Sequence, residues 1–164
     1  MEPIETVGKM VLAEGDVADR MALRDLVERY AQAVDRRDID TVVSLFTEDG
    51  VLLSHLTPGT EERPLERRGH DDLRRGLGLG LAVYSSTTHL IGGQVIDHVA
   101  GDAAAGTTAC LAHHVYEDDE GGRRLTVMAI RYEDRYHRDG GGWRFAERRL
   151  RLQWSDDRPL TARS

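Results

Sequence analysis

A chain of 164 residues, 40% apolar and 31% charged, suits one domain with one core and leaves no room for two. Its 22 basic and 29 acidic residues give a net charge of −7, which excludes the concentrated positive face that nucleic acid demands. No apolar run approaches the ~18 residues of a membrane span, and Cys110, the one cysteine, can neither close an intrachain disulfide nor supply a cysteine-rich zinc site. A soluble protein in a cytoplasmic setting is therefore expected.

In chain order, residues 1–15 read as a loose lead-in closed by Asp16 as N-cap. Apolar residues then recur at three- and four-residue spacing (Leu23, Leu26, Val27, Tyr30, Ala31, Val34), opposed by Arg24, Asp25, Glu28 and Arg29, and predict an amphipathic helix. Asp38 can cap a second helix that turns Val42, Val43, Leu45 and Phe46 inward and ends around Glu48-Asp49-Gly50. Val51 to Ser54 and Leu65 to Arg68 read as short strands about the turn Thr57-Pro58-Gly59-Thr60. His70 to Leu81 aligns Leu73, Leu77 and Leu81, but Gly76, Gly78 and Gly80 each weaken a helix by about 1 kcal/mol, so fraying or a mobile lid is expected. Those glycines make no dinucleotide fingerprint, since Leu81 stands where the third glycine belongs.

From Ser85 the period becomes two. Three long runs end near Val99, Glu117 and His137, and a fourth spans Trp143 to Trp154, joined by short glycine-bearing turns that predict an antiparallel meander. Helices followed by sheet give an α+β domain over 16–155, with 156–164 as a polar tail without periodicity.

The chemistry available is narrow. Lys9 is the only lysine and asparagine is absent, so His, Asp, Glu, Tyr and Arg must carry any reaction. Tyr30 lies on the apolar stripe of the first helix, and Asp35 ends that helix against the negative end of its dipole, where it gains from a donor partner or else is a solvated turn acid. His89 opens a long strand with Ile91 and Val95 on its face; paired with a carboxylate it becomes a fixed-tautomer base, and unpaired it is a structural core histidine. His113 and His114 are adjacent on a strand, so they face opposite sides and cannot share a zinc ion, and parity leaves open which of them looks inward. Arg131, Arg148, Arg149 and Arg151 lie in the last two strands, and one of them facing inward needs a carboxylate or an anionic ligand. His55, His70, His98 and His137 sit in loop or strand-edge contexts that suggest solvation. No ligand cluster or phosphate loop appears, so neither metal nor cofactor is expected. A sheet with two semi-apolar faces suggests that one lines the core and another subunit covers the other.

The motifs Arg29-Tyr30-Ala31-x-x-x-Asp35, Phe46-Thr47-x-Asp49-Gly50, Thr88-His89 and Gly142-Trp143-Arg144-Phe145, before an arginine-rich last strand, resemble those of SnoaL-like proteins. Their superfamily is that of nuclear transport factor 2 and scytalone dehydratase. The resemblance implies a cone-shaped α+β barrel, in which a strongly curved, mixed but mostly antiparallel sheet packs on N-terminal helices. It further implies an Asp35–His89 dyad like that of scytalone dehydratase and hexachlorocyclohexane dehydrochlorinase, Tyr30 as a carbonyl activator and His113 or His114 as a second histidine. Arg148, Arg131 and Phe46 are expected to contact the substrate. The activity implied is cofactor-free β-elimination on a small hydrophobic cyclic hydroxy-carbonyl compound, with a ketosteroid-type isomerase, a polyketide cyclase or a non-catalytic binding protein as alternatives. A homo-oligomer is expected, a trimer ahead of a dimer.

Overall fold

The computed structural model describes residues 14–60 and 63–161. Most of the expected N-terminal lead-in, and residues 162–164 of the tail, lie outside it. Helix α1 (Glu14–Asp35) starts before Asp16, which is therefore inside the helix and not its cap. Its stripe is buried as the spacing predicts, with Leu23 and Val27 fully enclosed. Asp38 caps α2 (Ile39–Ser44) by accepting from Thr41 N–H at 3.1 Å. That helix is shorter than expected. Phe46 leaves it to open strand β1 (Phe46–His55), because Thr47 to Gly50 bulge out: Phe46 stands opposite Phe145, yet Val51 is already opposite Glu147. Gly50 permits the fold-back, since a Cβ there would lie 2.9 Å from both Phe46 Cβ and Thr47 O.

Strand β2 (Leu65–Arg68) pairs antiparallel with β1, and α3 (Gly69–Ala82) follows. The expected fraying of α3 is not observed: it is unbroken, anchored by buried Leu73 and Leu81. The meander is β3 (Ser86–Ala100), β4 (Ala103–Glu117), β5 (Arg123–Asp139) and β6 (Gly142–Pro159). Sheet order is β2-β1-β6-β5-β4-β3, antiparallel except where β1 joins β6 in parallel.

Three expectations need correction. The sheet curls but does not close into a barrel, because the edge strands β2 and β3 are not paired with each other. Strand β6 runs on through Asp156 to Pro159, inside the segment read as a tail. Its end is held by polar partners, with Asp157 accepting from Arg124, Thr126 and Tyr116, so apolar alternation gave no sign of it. On β3, Gly92-Gly93 forms a bulge in which Ile91 and Gln94 face Cys110 and Thr108, so one extra residue reverses the side-chain alternation. Val95, expected beside His89, is consequently 62% exposed, and Ile96 is buried in its place. The bulge also presents Gly92 O to Arg24 Nη1 at 2.7 Å, and Leu23 O accepts from Gln94 Nε2, which ties α1 across the inner face. No described helix is long and apolar enough to cross a membrane.

Candidate active site

Between the inner face of the sheet and helices α1 and α3 lies a cavity of about 280 Å³. Leu52, Leu77, Leu81, Met128, Ile130, Leu150 and Leu152 form its apolar wall, and Tyr30, Tyr84, Tyr132, His89, His114 and Arg67 bring polar groups to it.

The dyad forms where α1 stops. Arg37 adopts φ 60°, a left-handed conformation usual for glycine at a helix end; its N–H reaches Val34 O at 3.1 Å and Asp38 N–H reaches Ala33 O at 2.9 Å. A non-glycine residue there stores of order 1 kcal/mol of strain. The Arg37 guanidinium offsets this by donating to Val34 O, Tyr84 O and Thr87 Oγ1. This stop leaves the Asp35 side chain against β3, where Thr87 and His89 share one face. Asp35 Oδ1 lies 2.7 Å from His89 Nδ1 and accepts from Thr87 Oγ1 at 2.9 Å, while Oδ2 accepts from the His89 backbone N–H at 2.9 Å. Burial opposes ionisation of Asp35, but the ring and backbone of His89 and the Thr87 hydroxyl outweigh it and hold the carboxyl below its ordinary range. An ionised Asp35 fixes the proton on Nδ1. Nε2, which makes no hydrogen bond to a described residue, is left to the cavity as a base. The His89 side chain is only 7% exposed.

His114 is the inward histidine. It is buried, stacks on Tyr84 at 4.5 Å between centroids, and sits edge-on to His89 at 5.4 Å. Its Nδ1 is buried without a partner. Desolvation, reinforced by neighbouring His89, pushes its pKa down to about 4, so it is neutral at pH 7. His113 occupies the opposite face of β4 and does not line the cavity.

Tyr30 rises from α1 into the cavity floor, and burial pushes its hydroxyl pKa up, which keeps it a donor. Arg148 lies beneath it, fully buried, with Cζ 4.3 Å from the Tyr30 ring, 4.0 Å from Tyr132 and 4.2 Å from Phe145. Asp134 accepts from Arg148 Nε and Nη2 at 2.9 Å each and from Tyr136 Oη at 3.0 Å, whereas Arg148 Nη1 has no partner. Arg148 thus supports the floor and does not touch the cavity. Phe46 is likewise a core residue, 5.2 Å from the Phe145 ring. Arg131 is exposed on the other face of the sheet, beside Trp154. Among the presumed solvated histidines, His70 Nε2 meets Phe46 O at 3.2 Å, and both ring nitrogens of His55 are buried without partners. No group of three or more potential metal ligands gathers among the described residues.

Five participants escaped the sequence reading: Thr87, Arg37, Tyr84, Tyr132 and Arg67. The alternation on β3 could have found Thr87, two residues before His89; nothing local marks Arg37, whose role depends on the helix stopping just before it.

Comparison with known proteins agrees with this fold. Rv2910c of Mycobacterium tuberculosis, an uncharacterised protein, is 23% identical over 140 residues, covering 85% of this chain and 89% of that one. A candidate scytalone dehydratase from Novosphingobium aromaticivorans superposes with a TM-score of 0.77 at 21% identity, covering 92% of this chain and 95% of that chain. The dehydrochlorinase LinA from Novosphingobium barchaimii, named for hexachlorocyclohexane, gives 0.71 at 19% identity, covering 88% and 91%. At these identities the solved structures establish the fold. The SnoaL-like domain model matches residues 15–149, the span that carries the dyad and all of the cavity lining except Leu150 and Leu152, and the chain belongs to that family.

Proposed function

We propose that the protein is a cofactor-free lyase acting by β-elimination on a small hydrophobic cyclic hydroxy-carbonyl compound. The observation that carries this reading is the 2.7 Å contact of Asp35 with His89 Nδ1 at the wall of an apolar cavity. His89 Nε2 removes the proton next to the substrate carbonyl, and the C–H electrons move to the carbonyl oxygen as an enolate that accepts from the Tyr30 hydroxyl. As the enolate collapses to a C=C bond, the β C–O bond breaks. The proton on Nε2 passes to the departing hydroxyl, water leaves and His89 returns to its neutral form. The acid in the second half is the His89 imidazolium, because His114 is neutral at pH 7 and serves as a hydrogen-bonding wall. Similarity to a protein named as a dehydrochlorinase supports an elimination. Isomerisation begins with the same abstraction and differs only in returning the proton to carbon.

The test is turnover of a panel of cyclic β-hydroxy ketones, followed by the absorbance of the conjugated enone. His89→Ala and Asp35→Asn should each slow elimination by about 10²–10⁴-fold, with the double variant little worse than the slower single one. Single variants with near wild-type turnover, or losses that simply multiply, would refute the dyad.

A further inference from the structure

We infer that Arg67 recognises an anionic group on the substrate, so that the natural compounds are amphipathic carboxylates: the reacting carbon lies at the Asp35–His89 dyad and the acid group at the cavity mouth. The inference rests on the reading of this cavity as the substrate site. Arg67 stands opposite Leu52 in the β1–β2 register, and both line the cavity. Among the described residues no carboxylate lines it, so a cation is placed in an otherwise apolar and neutral wall.

The other arginines of β2 and α3 are paired: Arg68 with Glu66 at 3.0 Å, Arg74 with Asp40 at 3.0 Å and Arg75 with Asp72 at 2.8 Å. Arg67 makes no ion pair with any described residue. Its single hydrogen bond to a described residue, from Nη1 to Glu66 O at 3.1 Å, leaves most of a five-donor fork unused. Asp72 feels its charge, yet that carboxylate is already taken by Arg68 N–H and Arg75. An arginine fork matches a carboxylate in two-pronged geometry, which makes that the fitting ligand group.

Helix α3 is shaped to let this side chain pass. A Cβ on Gly76 would lie 2.2 Å from Arg67 Nε, 2.5 Å from Cδ and 3.0 Å from Cγ, so the arginine stem crosses the helix where a side chain is missing. A mid-helix glycine weakens a helix, and here it makes room for the cation. Arg67 belongs to β2 and His89 to β3, the two outermost strands, and the curl of the sheet brings both to one cavity. A ligand spanning the cavity can therefore meet both, with an apolar body between.

The experiment is calorimetric binding of 2-naphthoate and of its neutral counterpart 2-naphthamide. Wild-type protein should prefer the naphthoate, and Arg67→Met should weaken naphthoate binding by about ten- to a hundredfold while leaving the amide unchanged. Gly76→Ala, which forces the stem aside while keeping Arg67 in the chain, should also lower the preference. The preference is read from binding alone and needs no turnover, so a failure of the elimination reading, seen as absent turnover of the cyclic ketols, is separable from a failure here. A wild-type protein that does not discriminate, or a preference that survives both Arg67→Met and Gly76→Ala, overturns the inference.

Discussion

His114 offers a test of the site that needs no substrate. Its pKa falls from 6.5 to about 4 on folding because desolvation, the charge of His89, Arg37 and neighbouring His113 disfavour the imidazolium, opposed only by Asp35. The unfolded chain therefore takes up this proton first as pH drops, and stability is lost from about pH 6.5 downward, levelling below about pH 4. For those two values the loss at pH 5 is about 2 kcal/mol. His114→Phe keeps the stack on Tyr84 and removes the titration. Urea unfolding at pH 7.5 and pH 5.0, at one protein concentration, should give wild type a loss about 2 kcal/mol larger than that of the variant, the histidines not coupled to His114 cancelling in the difference. A proton NMR titration of His114 should place its midpoint well below 6. Equal losses in the two proteins, or a midpoint near 6.5, would show that His114 is solvated and that the cavity wall is wrongly described.

Asp35 titrates in a separate window: its folded pKa is depressed, so its contribution to stability is present above the unfolded value of about 3.8 and is lost as pH falls through the folded one. Asp35→Asn should flatten that acid limb, and an unchanged limb would contradict the pairing. Arg148→Met leaves Asp134 as an uncompensated buried charge and should cost about 3–5 kcal/mol in urea unfolding, much of it recovered by adding Asp134→Leu; a cost below about 1 kcal/mol would refute the buried pair. Leu90, Leu111 and Trp154 are 55%, 40% and 52% exposed on the outer face of the sheet, so we propose self-association there. Light scattering should show Trp154→Arg reduced to the 18.3 kDa monomer, and a monomeric wild type would refute the proposal. Chelation should leave turnover of the active ketol unchanged; loss of activity restored by zinc or iron would contradict the cofactor-free reading.

Most of the architecture was legible because long elements carry strong periods. The α1 stripe, the Asp38 cap and the four-strand meander stand where spacing placed them. What escaped was set by neighbours distant in the chain. Phe46 leaves α2 because Phe145 and Gly50 draw it into the sheet, and β6 outruns its apolar pattern because Asp157 is held by Arg124 and Thr126. Within the site, helix position and strand alternation mark Asp35 and His89 as candidates with bland alternatives, and the resemblance to SnoaL-like proteins is what pairs them. The charge of Arg148 demands a carboxylate or an anionic ligand, and Asp134 with three aromatic rings satisfies it within the core, so it does not face the substrate as expected. His113 and His114 could not be told apart, since both strand faces are semi-apolar and only the register with β3 decides.

The position of β6 at the middle of the sheet has a consequence for synthesis. Strand β1 has a partner on each side, β2 from the next few residues and β6 from the end of the chain, so Val51 waits for Glu147. During translation the hairpins of the meander can close as they emerge, since each joins strands adjacent in sequence. The first half of the chain cannot: until β6 leaves the ribosome, β1 and β2 form an isolated two-stranded unit with little stability in water. The cavity lies between these halves, lined by Leu52 and Arg67 from one and by His89, His114 and Leu150 from the other. No N-terminal fragment contains it, and a nascent chain acquires its binding site in the same event that completes the fold.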